Sequence, residues 1–412
     1  MVQSRFLTEA VMTALDSRLQ ALTARRALLS NWRGIWLKIH LWLGLALGAF
    51  LSIIGVTGSA LVFFHEIDEA LNPELRIVAA PPQGKAAWRS VDEIAAAARK
   101  AIPAESQLGF CYWPQRDDEA FLFYYRVGAS GSDNVETRHV FVDPYRAEVT
   151  GTRRWYAAEN PLDDAFVAFV FKLHYALLVR GTGDIAVGTI AVLAFVSTVT
   201  GVVLWWPRNG KWRGAFTWKW PAKSERLNYD IHRLSGIFLL PVALAVLLSG
   251  VYFNLPQQFR AAVELFSRLT TAEKLRSAAS EGRQGVSLDE ALNITANRFP
   301  DGRVYAFVPP QTPDGSIRIQ QLFPIGWGVE GRRTIYIDRY KGDVLHVNDP
   351  LAGDGDGFIA WQWPLHSGYV LGWPGRILVF LFGLSWPLVF VTGVVRWLQK
   401  RRARGVVAQR KA

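Results

Sequence analysis

Four long apolar blocks constrain this chain more than any other feature. They run over residues 35–64, 185–206, 234–255 and 377–398. Each reaches the roughly 20 residues that an α-helix needs to cross a hydrocarbon core of about 30 Å. Glycines and small residues inside them, such as GLALG and TGS in the first, let helices approach closely in lipid. The first block is too long, and too far from Met1, for a cleaved signal. No small-residue cleavage pattern follows it, so it reads as an uncleaved anchor. The 17 Trp and 24 Phe suit rings that sit at headgroup level.

The charge pattern orients these blocks. Basic residues cluster in three stretches: 1–38, 207–228 and 396–412. Together they carry more than the whole net charge of +11, so the rest of the chain is acidic. All three flank apolar blocks, which is the positive-inside pattern and not a nucleic-acid surface. The reading is a multi-pass protein of the bacterial inner membrane with cytoplasmic N- and C-termini. Its partition is an amphipathic segment 1–34 (Phe6, Val11, Met12, Leu15, Leu19, Leu22), spans at 35–65, 181–206, 229–255 and 373–398, external domains at 66–180 and 256–372, a basic loop 207–228 and a basic tail 399–412. Cys111 is the only cysteine, which excludes internal disulfides, iron–sulfur clusters and Cys-rich zinc sites.

The chain is internally repeated. In the external segments, SVDEIAAAARKAIP (90–103) parallels SLDEALNITANRFP (287–300), and both read as capped helices. HVFVDPYRAEVTG (139–151) parallels TIYIDRYKGDVLH (334–346), and both read as two strands and a turn. In the apolar blocks the offset is constant at 192: Gly44 with Gly236, Gly58 with Gly250, TGVV at 200–203 with TGVV at 392–395, Trp205 with Trp397. Partners cross in the same sense, so the pseudo-twofold axis runs along the membrane normal. The predicted fold is an α-helical membrane protein, a four-helix transmembrane bundle with a twofold repeat and two small α+β extracytoplasmic domains.

Four of the seven histidines obey the same offset: His40 with His232, and His174 with His366. Symmetry predicts two facing pairs, one near each side of the bilayer. Two imidazoles without Cys or carboxylate partners make a poor zinc site, which takes three or four protein ligands. They suit the axial positions of haem iron, whose other ligands come from the porphyrin, held in a bundle core. Two haems are therefore expected, with His40, His232, His174 and His366 as iron ligands. Arg33, Lys38 and Arg233 on one side, and Arg180 and Arg376 on the other, are candidates to pair with propionates. His65 has Gln257 at its matching position, so symmetry leaves it as an alternative ligand or a substrate-side group. His139 and His346 read as strand-end surface residues. Asp163, Asp164, Asp354 and Asp356 read as turn and cap residues. No catalytic acid–base pair or nucleophile stands out.

The HxxxG of the odd blocks (His40 to Gly44, His232 to Gly236), the Leu-His before the even blocks, the TGVV ends and the paired SxDE and IDxYxG-type segments resemble the PepSY-associated transmembrane family over residues 32–400. That family includes iron-regulated membrane proteins and inner-membrane ferric-siderophore reductases of the ferrioxamine type. The resemblance implies two external PepSY domains and b-type haems. It also implies electron transfer from a cytoplasmic or quinol donor to a periplasmic ferric siderophore or other oxidised acceptor. VDPYRAEV departs from the pattern, with Arg-Ala where IDRYKGDV has Lys-Gly. The acceptor would lie among external aromatics: Trp361, Trp363, Tyr175, Tyr369 and Trp373. Two other readings compete: a siderophore or peptide transporter, and a PepSY module that binds a peptidase.

Overall fold

The structure is a computed structural model that describes residues 2–128, 136–157, 160–207, 210–270, 275–280, 282–326 and 329–409, with 2–31 and 406–409 as backbone. In chain order, the first half holds helices α1 (Val2–Leu61), α2 (Phe64–Leu71), α3 (Pro73–Arg76) and α4 (Val91–Lys100). Strands β1 (Gln107–Tyr112), β2 (Phe121–Val127), β3 (Glu136–Asp143) and β4 (Glu148–Tyr156) follow, then α5 (Phe166–Ala176) and α6 (Gly183–Trp205). After α7 (Trp212–Phe216), the second half holds α8 (Ser224–Phe238), α9 (Leu240–Asn254), α10 (Pro256–Glu264) and α11 (Leu288–Arg298). It continues with β5 (Arg303–Val308), β6 (Ile317–Gly326), β7 (Val329–Ile337), β8 (Val344–Asn348), α12 (Gly355–Ala360), α13 (Gln362–Ser367) and α14 (Gly372–Gln409). The amphipathic face expected over residues 1–30 lies outside the described side chains, although the backbone there is the start of α1.

The four-helix transmembrane bundle is not what forms. Three helical stretches are long and apolar enough to cross a membrane: Trp32–Leu61, Gly183–Trp205 and Tyr369–Gly405. The third apolar block is instead two 15-residue helices, α8 and α9, which meet at 62°. Pro241, at the second position of α9, has no N–H to continue the ladder, and its ring crowds the preceding turn. The repeat-equivalent residue in α1 is Ala49, and α1 continues unbroken. Pro387 lies inside α14 without ending it, so a proline permits such a break but does not dictate it.

Nor are the two domains expected outside the membrane separate. All eight strands form one antiparallel sheet in the order β4-β3-β2-β1-β5-β6-β7-β8. The halves join where Cys111 pairs with Phe307 and Tyr112 with Ala306. A single buried core runs beneath both: Ile94, Ala98, Phe121 and Phe123 from the first half, and Phe307, Ile319, Ile335 and Ile337 from the second. The strand period of two turns Phe121, Phe123 and Tyr125 to that core and Leu122 away from it.

Helices α4 and α11 are tied by reciprocal caps. Ser90 and Ser287 accept from the amides of Glu93 and Glu290 in their own helices. Each following aspartate then caps the other helix. Asp289 accepts from the Val91 and Asp92 amides at 2.9 and 3.1 Å. Asp92 accepts from Leu288 and Asp289 at 3.0 and 3.4 Å. Carboxylates at a helix N-terminus answer both its unpaired N–H groups and its dipole.

The chain divides into two compact units. One comprises residues 1–52, 192–244 and 385–412; the other comprises 53–191 and 245–384 and contains the whole sheet. In the sheet-bearing unit Gly383 lies so close to Ser59 and the Gly55 carbonyl that any Cβ there would collide. This is the small-residue packing expected of helices in lipid.

Candidate functional site: two histidine pairs

In the first unit, His40 of α1 faces His232 of α8, with ring centroids 6.2 Å apart and planes at 83°. His40 Nδ1 lies 2.9 Å from the Ser197 carbonyl oxygen and 3.1 Å from Thr200 Oγ1. His232 Nδ1 lies 3.0 Å from the Val389 carbonyl oxygen and 3.1 Å from Thr392 Oγ1. These partners match between the halves at the offset of 192, and His40 alone has a further hydroxyl, Ser197 Oγ at 3.4 Å, where the other half has Val389.

The sheet-bearing unit repeats the arrangement. His174 of α5 and His366 of α13 have centroids 6.1 Å apart and planes at 67°. His174 Nδ1 meets the Ile54 carbonyl at 2.9 Å and Thr57 Oγ1 at 3.3 Å. His366 Nδ1 meets the Val246 carbonyl at 3.2 Å and Ser249 Oγ at 2.9 Å.

These contacts fix the tautomer. A carbonyl oxygen can only accept, so each Nδ1 must carry the proton and donate it. The hydroxyls agree, because each donates its own proton to a carbonyl of its own helix. Thr200 donates to Ser197, Thr392 to Leu388 and Ser249 to Ala245, all at 2.7 Å, and Thr57 to Ile53 at 2.8 Å. Each hydroxyl oxygen is left to accept from the imidazole. In all four rings Nε2 therefore keeps its lone pair, and no hydrogen bond engages it among the described residues. In the second pair burial holds His174 below the usual histidine range. Burial, and then the facing His174, pulls His366 down to about 3, so both rings are neutral at physiological pH.

Glycines make the space. A Cβ at Gly201 or Gly393 would lie 3.2 or 3.3 Å from Cε1 of His40 or His232. At Gly58 it would lie 2.8 Å from Cε1 of His174, and at Gly250, 3.6 Å from Cε1 of His366. The TGVV motif thus has a physical reading: its Thr anchors an imidazole and its Gly admits the ring.

A metal–imidazole nitrogen bond is about 2 Å, so one ion between two coaxial imidazoles, with ring radii of about 1 Å, sets the centroids about 6 Å apart. Both pairs have that spacing. Among the described residues no three His, Cys, Asp or Glu side chains gather to hold a metal. An ion between either pair would take its remaining ligands from a non-protein group.

The sequence profile of a family described as PepSY-associated TM region matches residues 37–400. The chain belongs to that family. Its PepSY-associated region thus takes in both histidine pairs and the whole sheet, and the protein is a membrane protein. No curated protein matches it.

The other residues singled out in the sequence of this PepSY-associated protein are already engaged. Arg33 donates to the Leu204 carbonyl. Arg233 holds Asp230 at 2.9 Å and the carbonyls of Gly214 and Thr217. Arg376 is buried against Glu66 at 2.6 Å and the Val62 carbonyl at 2.8 Å, beneath the rings of Phe63, Tyr369 and Trp373. Arg180 lies in the turn between α5 and α6. His65, on α2, packs on Phe64 and Tyr112. Burial, and then Arg76, lowers its pKa to about 3. His139 is not at the surface: it is fully buried, stacked on Trp155 and beside Arg153. Asp354 caps α12. Sequence reasoning missed the roles of Thr57, Ser249, Thr200 and Thr392, although the 192 offset relates them as it relates the histidines.

Proposed function

We propose that this protein transfers electrons across the inner membrane through two b-type haems and reduces an external acceptor, a ferric siderophore, to release its iron as Fe(II). The reading is supported by one observation above all: four imidazoles, in two facing pairs, each with Nδ1 tied to a carbonyl and a hydroxyl and Nε2 left free. A ligating histidine is commonly held in this way, because the outer bond sets the ring's tautomer and direction and raises its basicity.

Bound haem supplies one-electron exchange. The chain's own residues hold the four rings, present neutral nitrogen lone pairs and surround them with apolar helices. Outer hydrogen bonds and burial are the levers a protein has on haem potential. The donor in this reading is a cytoplasmic or quinol reductant. The three basic segments support cytoplasmic termini.

The test is the visible spectrum of the full-length protein purified from iron-replete cells. A Soret band that sharpens on dithionite, with two haems per chain by pyridine haemochrome, is expected. Protein that is folded and lacks any Soret band overturns the proposal. Oxidation of the reduced protein by ferrioxamine would then test the acceptor.

A further inference from the structure

Four inward-set guanidinium groups of the sheet-bearing unit are neutralised by carboxylates. Arg76 and Arg153 close on Asp68 at 2.9 and 2.7 Å, Arg333 closes on Asp301, and Arg376 closes on Glu66. Arg332 of β7 differs from these. It is partly buried, and no hydrogen bond or ion pair engages it among the described residues. Instead its guanidinium lies over the ring of Trp363 at 4.4 Å and near that of Tyr305 at 6.0 Å. The polar groups bearing on it are the phenols of Tyr305, Tyr112 and Tyr252. Burial raises the pKa of Tyr112 and Tyr305, so both stay neutral and neither compensates the charge.

A guanidinium drawn out of water without an acceptor is costly. Its fork of donors matches a carboxylate in two parallel bonds. The walls around it are flat and aromatic. Trp363 lies one turn before His366 on the same short helix, α13. We infer that Arg332 anchors an oxyanion site that takes the carboxylate of a flat, largely apolar ligand, with Trp363, Tyr305 and Tyr112 as its walls. Two sources share that chemistry: a propionate of a porphyrin held by the adjacent histidine pair, or the carboxylate of a free ligand. The site stands without the electron-transfer reading, which bears only on the first source.

The experiment uses the full chain in lipid nanodiscs, with empty nanodiscs as reference, and follows 4-fluorobenzoate and its neutral isostere 4-fluorobenzamide by fluorine NMR. Saturable binding of the benzoate, at least about tenfold tighter than the amide, is expected. Arg332→Gln should weaken the benzoate at least tenfold and leave the amide unchanged, while Arg332→Lys keeps part of the preference. Haem-loaded protein that no longer binds benzoate, with binding restored when haem dimethyl ester is used, identifies a propionate as the occupant. Binding that persists in the haem-loaded protein identifies a free ligand. Equal binding of acid and amide overturns the inference, as does benzoate binding by a folded Arg332→Gln protein that equals wild type. Should that variant fail to fold, the acid–amide comparison and Arg332→Lys decide. Failure to take up haem would sink the proposed function and leave this measurement intact.

Discussion

At His40 and His232 the two halves of the chain supply nearly the same partners on both sides: a carbonyl near 3 Å, a threonine hydroxyl at 3.1 Å, and a glycine with nearly equal clearance, with Ser197 Oγ at 3.4 Å from His40 as the one addition. At His174 and His366 the plan is kept but the fit is unequal. One ring has Thr57 at 3.3 Å and a tight Gly58; the other has Ser249 at 2.9 Å and a roomier Gly250. The repeat therefore preserves what an imidazole needs, a proton acceptor and space, and lets other features drift. The same drift separates α1, continuous through Ala49, from the α8–α9 pair broken at Pro241. Uneven second-pair geometry should make its two histidines energetically distinguishable, while the first pair behaves as a nearly symmetric unit.

If the pairs hold the two proposed haems, the largest test of that contrast removes a ligand. His40→Ala or His232→Ala should abolish one spectral centre completely and leave the other. His174→Ala or His366→Ala should do the reverse, read as loss of one of two haems by pyridine haemochrome. Loss of both centres, or of neither, from any single change would show that the pairs are not the ligating units.

The glycines come next. Gly58→Ala forces a Cβ to 2.8 Å from His174 and should cost about 1–3 kcal/mol in thermal or denaturant stability, as overpacking does. Gly250→Ala, with 3.6 Å available, should be close to neutral. Gly201→Ala and Gly393→Ala should fall between these and match each other. Equal effects at Gly58 and Gly250 would remove the asymmetry claimed for the second pair.

The hydroxyls are a smaller perturbation, since each Nδ1 keeps its carbonyl. Thr200→Val and Thr392→Val should weaken retention of the proposed haem alike, by about tenfold, within the range seen for groups that hydrogen-bond a ligating histidine. Ser249→Ala should exceed Thr57→Val, following 2.9 against 3.3 Å. Competition with apomyoglobin measures retention directly.

Acid should act on the first half-sheet more than the second. His139 is fully buried, and burial, then Arg153, holds its pKa well below the usual value; its repeat position in the second half is Thr334. Above about pH 6.5 the ring is neutral both folded and unfolded. Below that, only the unfolded chain takes the proton, so stability falls as pH falls towards the depressed folded value. One such group costs about 1 kcal/mol between pH 6.5 and 5.5. His139→Asn should flatten that slope by this amount in denaturant titrations, and an unchanged slope would refute it.

Much of this was legible in the sequence because it is periodic. The offset of 192 pairs the histidines and also pairs Thr200 with Thr392 and Gly58 with Gly250. What it does not reveal is which face of a helix meets which imidazole, so the hydroxyls and glycines looked like packing residues. The union of the two sheets was illegible for another reason. β1 and β5 alternate as any strand does, and the pairing of Cys111 with Phe307 joins residues nearly two hundred positions apart. The break in the third block was written as Pro241, but Pro387 shows that the same residue can be absorbed by a continuous helix.

The reciprocal caps give the smallest expected effect and the most exact symmetry. Asp92 binds two amides of α11, and Asp289 binds two of α4, so each aspartate stabilises the helix it does not belong to. Asp92→Ala and Asp289→Ala should each cost about 1 kcal/mol, the usual value of an N-cap. The losses should match within about half a kcal/mol if the halves are equivalent at their seam. Ser90→Ala and Ser287→Ala remove caps inside one helix and should leave the other helix unaffected. In hydrogen exchange, Asp92→Ala should therefore deprotect the first turn of α11 while Ser90→Ala deprotects that of α4. Two helices that merely lay side by side would lose protection only in the mutated one. The crossed pattern is what a sheet shared by both halves requires, because neither helix then has a complete N-terminus without the other.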